Sequence, residues 1–149
     1  MLVKVIARRI RLSPQHPTIM IRSILSVVVG YLTMAILVGV TTAVVAKLML
    51  PAAAAGQLPQ PTMPYMVINL VYSALFAAAG GFVCSLIAIR SPLAHALVLA
   101  ALVALLGLVF FFQNYSASAQ PRWYSLSILV LCPLGVMAGG YLRSLQAGP

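Results

Sequence analysis

Three polar residues, Asn69, Tyr72 and Ser73, lie three and four positions apart inside an otherwise apolar stretch. That spacing places them on one side of a helix. An amide and two hydroxyl groups can bind a neutral or anionic solute, or they can hydrogen-bond a neighbouring helix. Pro133, in another apolar stretch, frees one backbone carbonyl, which either lines a cavity or belongs to a tolerated kink. These four residues form the candidate polar site, and both interpretations stay open.

The charged residues exclude most catalytic chemistry. The chain has nine Lys and Arg residues and no Asp or Glu, so the carboxylates of acid–base and metal sites are missing. His95 has no second His in the apolar segments to pair with. Cys84 and Cys132 lie at different predicted depths and should be free thiols. The sequence therefore predicts no catalytic, cofactor-binding or metal-binding residues, and a protein that is not an enzyme.

Four continuous apolar segments must position these residues. Hydrophobic residues make up 63 % of the 149 residues, against about 50 % in soluble chains. Each segment reaches the roughly 20 residues that cross a bilayer, and none alternates as barrel strands do. The segments cover about 24–47, 65–89, 93–112 and 123–142. We predict an all-α polytopic membrane protein, with a basic tail over 1–22 and one domain over 23–149, whose four transmembrane helices form a compact antiparallel bundle.

The basic residues predict the orientation. Seven of them precede the first segment, separate the second from the third, or follow the fourth, whereas only Lys47 and Arg122 lie on the other side. Cytoplasmic loops carry the Lys and Arg excess, which predicts a multi-pass protein of the bacterial inner membrane with both termini in the cytoplasm. Arg22, Arg90 and Arg143 should lie at anionic lipid headgroups. The expected partner of the basic residues is thus the bilayer, not nucleic acid.

The N-terminus permits more than one interpretation. The first segment follows basic residues and precedes PAAAAG, as in a secretory signal, but it is longer than an h-region of about 7–15 residues. Met20 directly precedes the first span, so residues 1–19 are either an upstream extension or a real basic arm. A real arm could lie on an anionic leaflet. Pro14 and Pro17 favour a mobile tail instead, because they end any helix before the first span.

Small residues recur at four-residue spacing in every segment, and helices in lipid associate where such residues let backbones approach. Ala77, Gly81, Gly135 and Gly139 are the predicted helix-packing residues. The full stripes are Ser73, Ala77, Gly81 and Ser85 in the second segment, Gly135 and Gly139 in the fourth, Ala96, Ala100 and Ala104 in the third, and Ala35, Gly39 and Ala43 in the first. The same faces could form a homo-oligomer.

Two further sequence features concern the helices. Thr33, Thr41 and Thr42 are expected to bond carbonyls of their own helix. The string Ala79-Gly80-Gly81 recurs 59 residues later as Ala138-Gly139-Gly140, and the same offset pairs Tyr65 with Tyr124. This predicts a parallel repeat of two helical hairpins, a device known in transporters. Chance recurrence of Ala, Gly and Leu is the alternative, because the first and third segments do not align.

Three motifs carry a resemblance to a protein family. They are MIRSILSVVVGYL at Met20, NLVYS followed by GG in the second segment, and QPRWY with PLGVMAGGYLR in the fourth. Together they resemble small uncharacterised four-span bacterial inner-membrane proteins, over most of Met20 to Arg143. The resemblance brings no known catalytic or binding residues. Small four-span multidrug exporters are similar in length, but the membrane-embedded Glu on which they rely has no counterpart here.

Two functions remain compatible with the sequence. The first is a structural or accessory membrane component that packs with itself or with a larger membrane partner. The alternative is a small oligomeric channel or transporter for a neutral or anionic solute, with Asn69, Ser73 and the Pro133 region lining the path. A polar path from the outer face to Asn69 would favour transport, and an Asn69 paired within the bundle would favour the first function.

Overall fold

Four long helices account for most of the residues that the computed structural model describes, which are 17–50, 61–88, 91–113 and 120–146. They are α1 (Pro17–Met49), α2 (Met63–Ile87), α3 (Pro92–Gln113) and α4 (Arg122–Gln146). All four are long and apolar enough to cross a membrane, and the described ranges include no strand. The predicted fold, an all-α polytopic membrane protein with four helices in contact, is confirmed.

Prolines mark the helix starts. Pro17 and Pro92 are the first residues of α1 and α3, and Pro64 lies in the first turn of α2. Proline suits this position because its missing N–H would have no intrahelical partner there. Helix α1 begins about two turns earlier than the sequence predicted, so residues 17–22 belong to the helix and not to a tail. The rest of the tail, 1–16, lies outside the described residues.

The contacts between helices establish their directions. Gly30 of α1 faces Gly80 of α2, and Thr42 further along α1 bonds Tyr72, so these helices run antiparallel. Helices α3 and α4 are antiparallel as well, since Gly140 of α4 faces Ala96 near the start of α3. We call the end that holds Tyr65 and Tyr124 the tyrosine end, and the end that holds Arg22 and Arg143 the basic end.

Helix α2 is the centre of the bundle. It contacts α4 most extensively, then α1, and also α3. Helix α3 touches the other three helices, whereas α1 and α4 do not approach each other closely. The main core cluster is formed by Met34, Ala77, Cys84, Leu99, Ala100, Val103 and Val136. These residues come from all four helices, so every helix contributes to the main core.

Large apolar side chains cover the outside of the bundle. Ile36 is 61 % exposed, Leu105 58 % and Val130 56 %, and similar residues project from every helix. A soluble monomer rarely exposes contiguous apolar patches of this extent. In a bilayer lipid tails cover such side chains, while the helices satisfy their own backbone groups. The distribution of apolar surface is therefore that of a membrane protein.

The packing face predicted for α1 is wrong. Ala35, Gly39 and Ala43 are exposed, and a Cβ built on Gly39 meets nothing within 4 Å. The side that faces α2 carries Gly30 and Met34 instead, one turn apart. Because α1 is apolar on all sides, its composition does not indicate which of its small-residue stripes meets another helix.

The repeat is present in the lengths of α2 and α4 but not in their packing. Both helices have 25 residues. Each begins two residues before its tyrosine of the repeat, Tyr65 in α2 and Tyr124 in α4. However, Gly80 faces α1, while its counterpart Gly139 faces Ala78 of α2. Helices α1 and α3 also differ in length, with 33 and 22 residues. The two hairpins therefore occupy unequal environments in the bundle.

Candidate functional site

The candidate polar residues of α2 form a hydrogen-bonded cluster with α1. Ser73 Oγ donates to Asn69 Oδ1 at 3.2 Å, and Asn69 Nδ2 donates to Tyr72 Oη at 2.5 Å. Tyr72 Oη lies 2.8 Å from Thr42 Oγ1 of α1. Asn69 is only 6 % exposed. We call Thr42, Asn69, Tyr72 and Ser73 the polar cluster, and it joins α1 to α2.

The hydrogen bonds of the polar cluster pair its polar side chains with one another. Tyr72 Oη accepts a hydrogen bond from the Asn69 amide, so its own hydroxyl proton is available to Thr42. Asn69 uses its amide nitrogen toward Tyr72 and its oxygen toward Ser73, which specifies the orientation of the amide. Because unpaired polar groups are costly in hydrocarbon, this mutual pairing stabilises the α1–α2 contact. The chemistry that the described contacts show here is hydrogen bonding.

The prediction for Thr42 is corrected by this arrangement. Thr33 does donate to the Val29 carbonyl of its own helix at 2.8 Å, as predicted. Thr42 instead meets Tyr72 across the helix interface. The sequence signal was weak, because a threonine in a membrane helix can satisfy its hydroxyl locally. Only the crossing of α1 over α2 shows that a partner from another helix is within reach.

A second buried cluster lies beside the polar cluster at the tyrosine end. Tyr65, one turn before Asn69 on α2, packs with Met66 and with Tyr124 of α4. Tyr65 and Tyr124 are 7 % and 4 % exposed. Residues of α1, α2 and α4 surround them, namely Val45, Ala46, Met49, Leu50, Leu70 and Ile128. Both tyrosines therefore pack between helices of the bundle.

Glycines bring the backbones of α2 and α4 together. A Cβ on Gly81 would collide with the Val136 carbonyl, and one on Gly139 with the Ala78 carbonyl. A Cβ on Gly135 would lie 2.7 Å from the Ala74 oxygen. Ala77, the remaining predicted packing residue, is fully buried against this interface. Four predicted packing residues thus lie together, between the two helices with the most extensive contact.

Pro133 lies inside α4, and the helix continues through it to Gln146. Every hydrogen bond described for the polar cluster lies within α2 or between α2 and α1. The structure therefore brings Asn69, Tyr72 and Ser73 together and does not join Pro133 to them by a hydrogen bond.

The sequence analysis missed the contact between α1 and α2 in the core. A Cβ on Gly30 would lie 2.7 Å from Cys84 Cβ and 2.8 Å from the Gly80 oxygen. Ser26, one turn earlier, is fully buried and donates to the Ser23 carbonyl at 2.8 Å. The spacing of Ser26 and Gly30 was a usable signal, since it is the same small-residue pattern. It competed with the stripe at Gly39, which faces outward.

At the basic end, α2, α3 and α4 meet. Ser85 Oγ donates to the Pro92 carbonyl at 3.1 Å, and a Cβ on Gly140 would collide with Ala96. Arg143 follows Gly140 by one turn and is half-buried, while Arg22 is exposed. Arg90, the third predicted headgroup residue, lies outside the described residues.

The cysteine and histidine side chains of the described helices are further candidates for chemistry. Cys84 and Cys132 are both free thiols, as predicted. Within the described ranges, no three His, Cys, Asp or Glu residues come close enough to hold a metal ion. His95 Nδ1 lies 3.1 Å from the Ser91 carbonyl, inside the same turn. The described arrangement thus offers hydrogen bonds and helix contacts as its chemistry.

Comparisons with known proteins add no relative: no protein-family profile, curated protein sequence or solved structure matches the chain.

Proposed function

We propose that this chain is a structural or accessory protein of the bacterial inner membrane, which packs with itself or with a larger membrane partner. Both termini lie in the cytoplasm in this proposal. The orientation is supported by seven basic residues on one side of the four segments and two on the other, as the positive-inside rule requires. Arg22, Arg90 and Arg143 then lie at the cytoplasmic headgroups.

The pairing of Asn69 carries the proposal. A solute path through the bundle needs polar groups that face water or the solute. Asn69 is buried, and its amide bonds Tyr72 and Ser73, while Tyr72 bonds Thr42. These groups hold α1 to α2, which supports a role for the polar cluster in helix association rather than in solute binding.

The proposal is tested by two measurements on the same protein. In membranes of its native host, the 15.8 kDa chain should migrate on native gels in an assembly heavier than one chain, and short cross-linkers should join it to a defined partner or copy. After reconstitution into liposomes, it should not raise the permeability to small neutral or anionic solutes above that of empty vesicles.

A matched pair of variants separates the two functional classes. Asn69→Leu removes the amide from the polar cluster, and Val71→Asn places an amide on an exposed position of the same helix. If the protein is a channel or transporter, wild-type flux is measurable and Asn69→Leu changes its rate or selectivity. That result, together with migration as a single chain in native membranes, would replace our proposal by the transport alternative.

A further inference from the structure

Arg143 differs from the other basic residues that the structure describes. Arg22, Lys47 and Arg122 are exposed, whereas Arg143 is half-buried. Its Nε atom is screened from solvent and has no hydrogen-bond partner among the described residues. A buried donor without an acceptor is unfavourable, especially when it belongs to a charged group. The guanidinium therefore needs an acceptor that the described bundle does not provide.

The chain cannot supply a side-chain anion to Arg143. It contains no Asp or Glu at any position, so no side-chain ion pair can form, whatever the placement of the remaining residues. Arg143 lies in the last turn of α4, where the helix dipole favours a cation. That effect holds the charge at the helix end but does not pair the Nε proton. A side-chain anion that pairs with Arg143 must therefore come from outside the chain.

We propose that Arg143 binds the phosphate group of an anionic phospholipid at the basic end of the bundle. When the half-buried side chain turns outward, its planar guanidinium offers Nε and a terminal nitrogen in a fork that fits two phosphate oxygens. The backbone at this end of α4 has a defined position, because Gly140, one turn earlier, lies directly against Ala96 and Ser85. This inference rests on the proposed membrane placement and names the lipid class that the basic end selects.

The nearby polar groups leave Arg143 as the group that receives the phosphate. Ser144 Oγ donates to the Tyr141 carbonyl at 2.7 Å, and Ser85 Oγ donates to the Pro92 carbonyl. Each hydroxyl has thus placed its proton on a backbone carbonyl. The site is accordingly expected to recognise charge and fork geometry, which every anionic phospholipid offers through its phosphate.

The test is a lipid titration of the full-length protein in detergent, followed by native mass spectrometry. Wild type should bind its first phosphatidylglycerol at least about tenfold more tightly than phosphatidylcholine, because the choline cation of phosphatidylcholine offsets the charge of its phosphate and weakens the charge-assisted hydrogen bond. Arg143→Gln should reduce this preference to about twofold or less. Arg143→Lys, which keeps the charge and loses the fork, should lie between them. The control Lys47→Gln removes an exposed charge at the tyrosine end and should bind like wild type.

Several outcomes would overturn the inference. They are an equal affinity of wild type for both lipids, a wild-type preference in Arg143→Gln, or an equal loss in Lys47→Gln. Displacement of phosphatidylglycerol by inorganic phosphate at the same concentration would overturn the assignment to lipid. Circular dichroism and size-exclusion profiles show whether Arg143→Gln folds, and Arg143→Lys keeps the test decisive if it does not. Because the titration needs no partner protein, its failure is distinguishable from failure of the proposed assembly.

Discussion

Glycine has two different roles in this chain, which depend on how closely another backbone approaches. Gly81 and Gly139 lie where α2 and α4 meet, and a Cβ at either position would collide with a backbone carbonyl of the other helix. Gly39 of α1 has open space around it. Side-chain motion cannot relieve a clash with backbone, so the first two positions depend on the absence of a side chain.

The first prediction compares Gly81 and Gly139, which lie against another backbone, with Gly39, which does not. Gly81→Ala and Gly139→Ala should each lower the free energy of unfolding by about 1–3 kcal/mol, the usual cost of overpacking. Gly39→Ala should cause no loss, because alanine is the better helix former. Unfolding in mixed detergent micelles measures the three variants under one condition. Equal stability of Gly81→Ala and Gly39→Ala would contradict the close approach of α2 and α4.

The second prediction concerns the bond between α1 and α2. In a double-mutant cycle, Thr42→Val and Tyr72→Phe should couple by about 0.6 kcal/mol and by no more than about 1.7 kcal/mol, the range for hydrogen bonds between membrane helices. Tyr141→Phe, at an exposed tyrosine, should show no coupling to Thr42→Val. Additive effects of the first pair would mean that the hydroxyls of Thr42 and Tyr72 do not stabilise each other.

The connection from α2 to α3 depends on an unusual backbone conformation. Ser91 has φ of 49°, in the left-handed region that L residues rarely adopt. Its carbonyl accepts from the Ala94 amide at 3.0 Å and lies 3.1 Å from His95 Nδ1. Pro92 follows and starts α3. The reversal between two helices is thus achieved in few residues, with strain at one of them.

The third prediction follows from that strain. Ser91→Gly should stabilise the bundle by about 1 kcal/mol, because glycine adopts positive φ without the steric cost paid by other residues. Ser91→Ala removes the hydroxyl but keeps the Cβ, so it should give no gain. Thermal unfolding of both variants in the same detergent makes the comparison. A gain in Ser91→Ala as large as in Ser91→Gly would assign the effect to the hydroxyl rather than to φ.

At the scale of the whole molecule, the main feature is the unequal number of basic residues on the two sides of the four segments. The helices carry apolar side chains outward along their length, so lipid contact does not distinguish one end from the other. The basic residues do, with seven on one side of the four segments and two on the other. Orientation in the proposal therefore depends on charge and not on packing.

The fourth prediction tests this orientation. A reporter that is active only outside the cytoplasm should be inactive when fused after Pro149 and active when inserted after Gly56, between the first two spans. Lys47→Gln should leave both results unchanged, because it removes a basic residue from the side with fewer and so increases the charge asymmetry. Addition of several lysines after Gly56 should reduce the charge asymmetry and produce a mixture of chains in the two opposite orientations. An active reporter after Pro149 in the wild-type chain would reverse the proposed topology.

The span positions and the packing of α2 were predictable because they depend on local sequence. The ends of α2 and α3 lie within about two residues of the prediction, since apolar length and proline define them. The α2 stripe through Ser73, Ala77 and Gly81 is buried, and it was visible as spacing alone. Thr42 and Gly30 could not be assigned in the same way, because their partners lie on another helix, at a crossing that local sequence does not specify.

Composition along the chain is enough to establish four apolar helices, since each segment meets the length and polarity requirements of a bilayer without reference to its neighbours. Composition does not determine which face of each helix points into the bundle. Helix α1 is apolar on every side, so its outward stripe at Gly39 and its inward stripe at Gly30 look alike in sequence. Shape complementarity with α2 selects between them, because in lipid helices associate by close backbone contact rather than by hydrophobic burial.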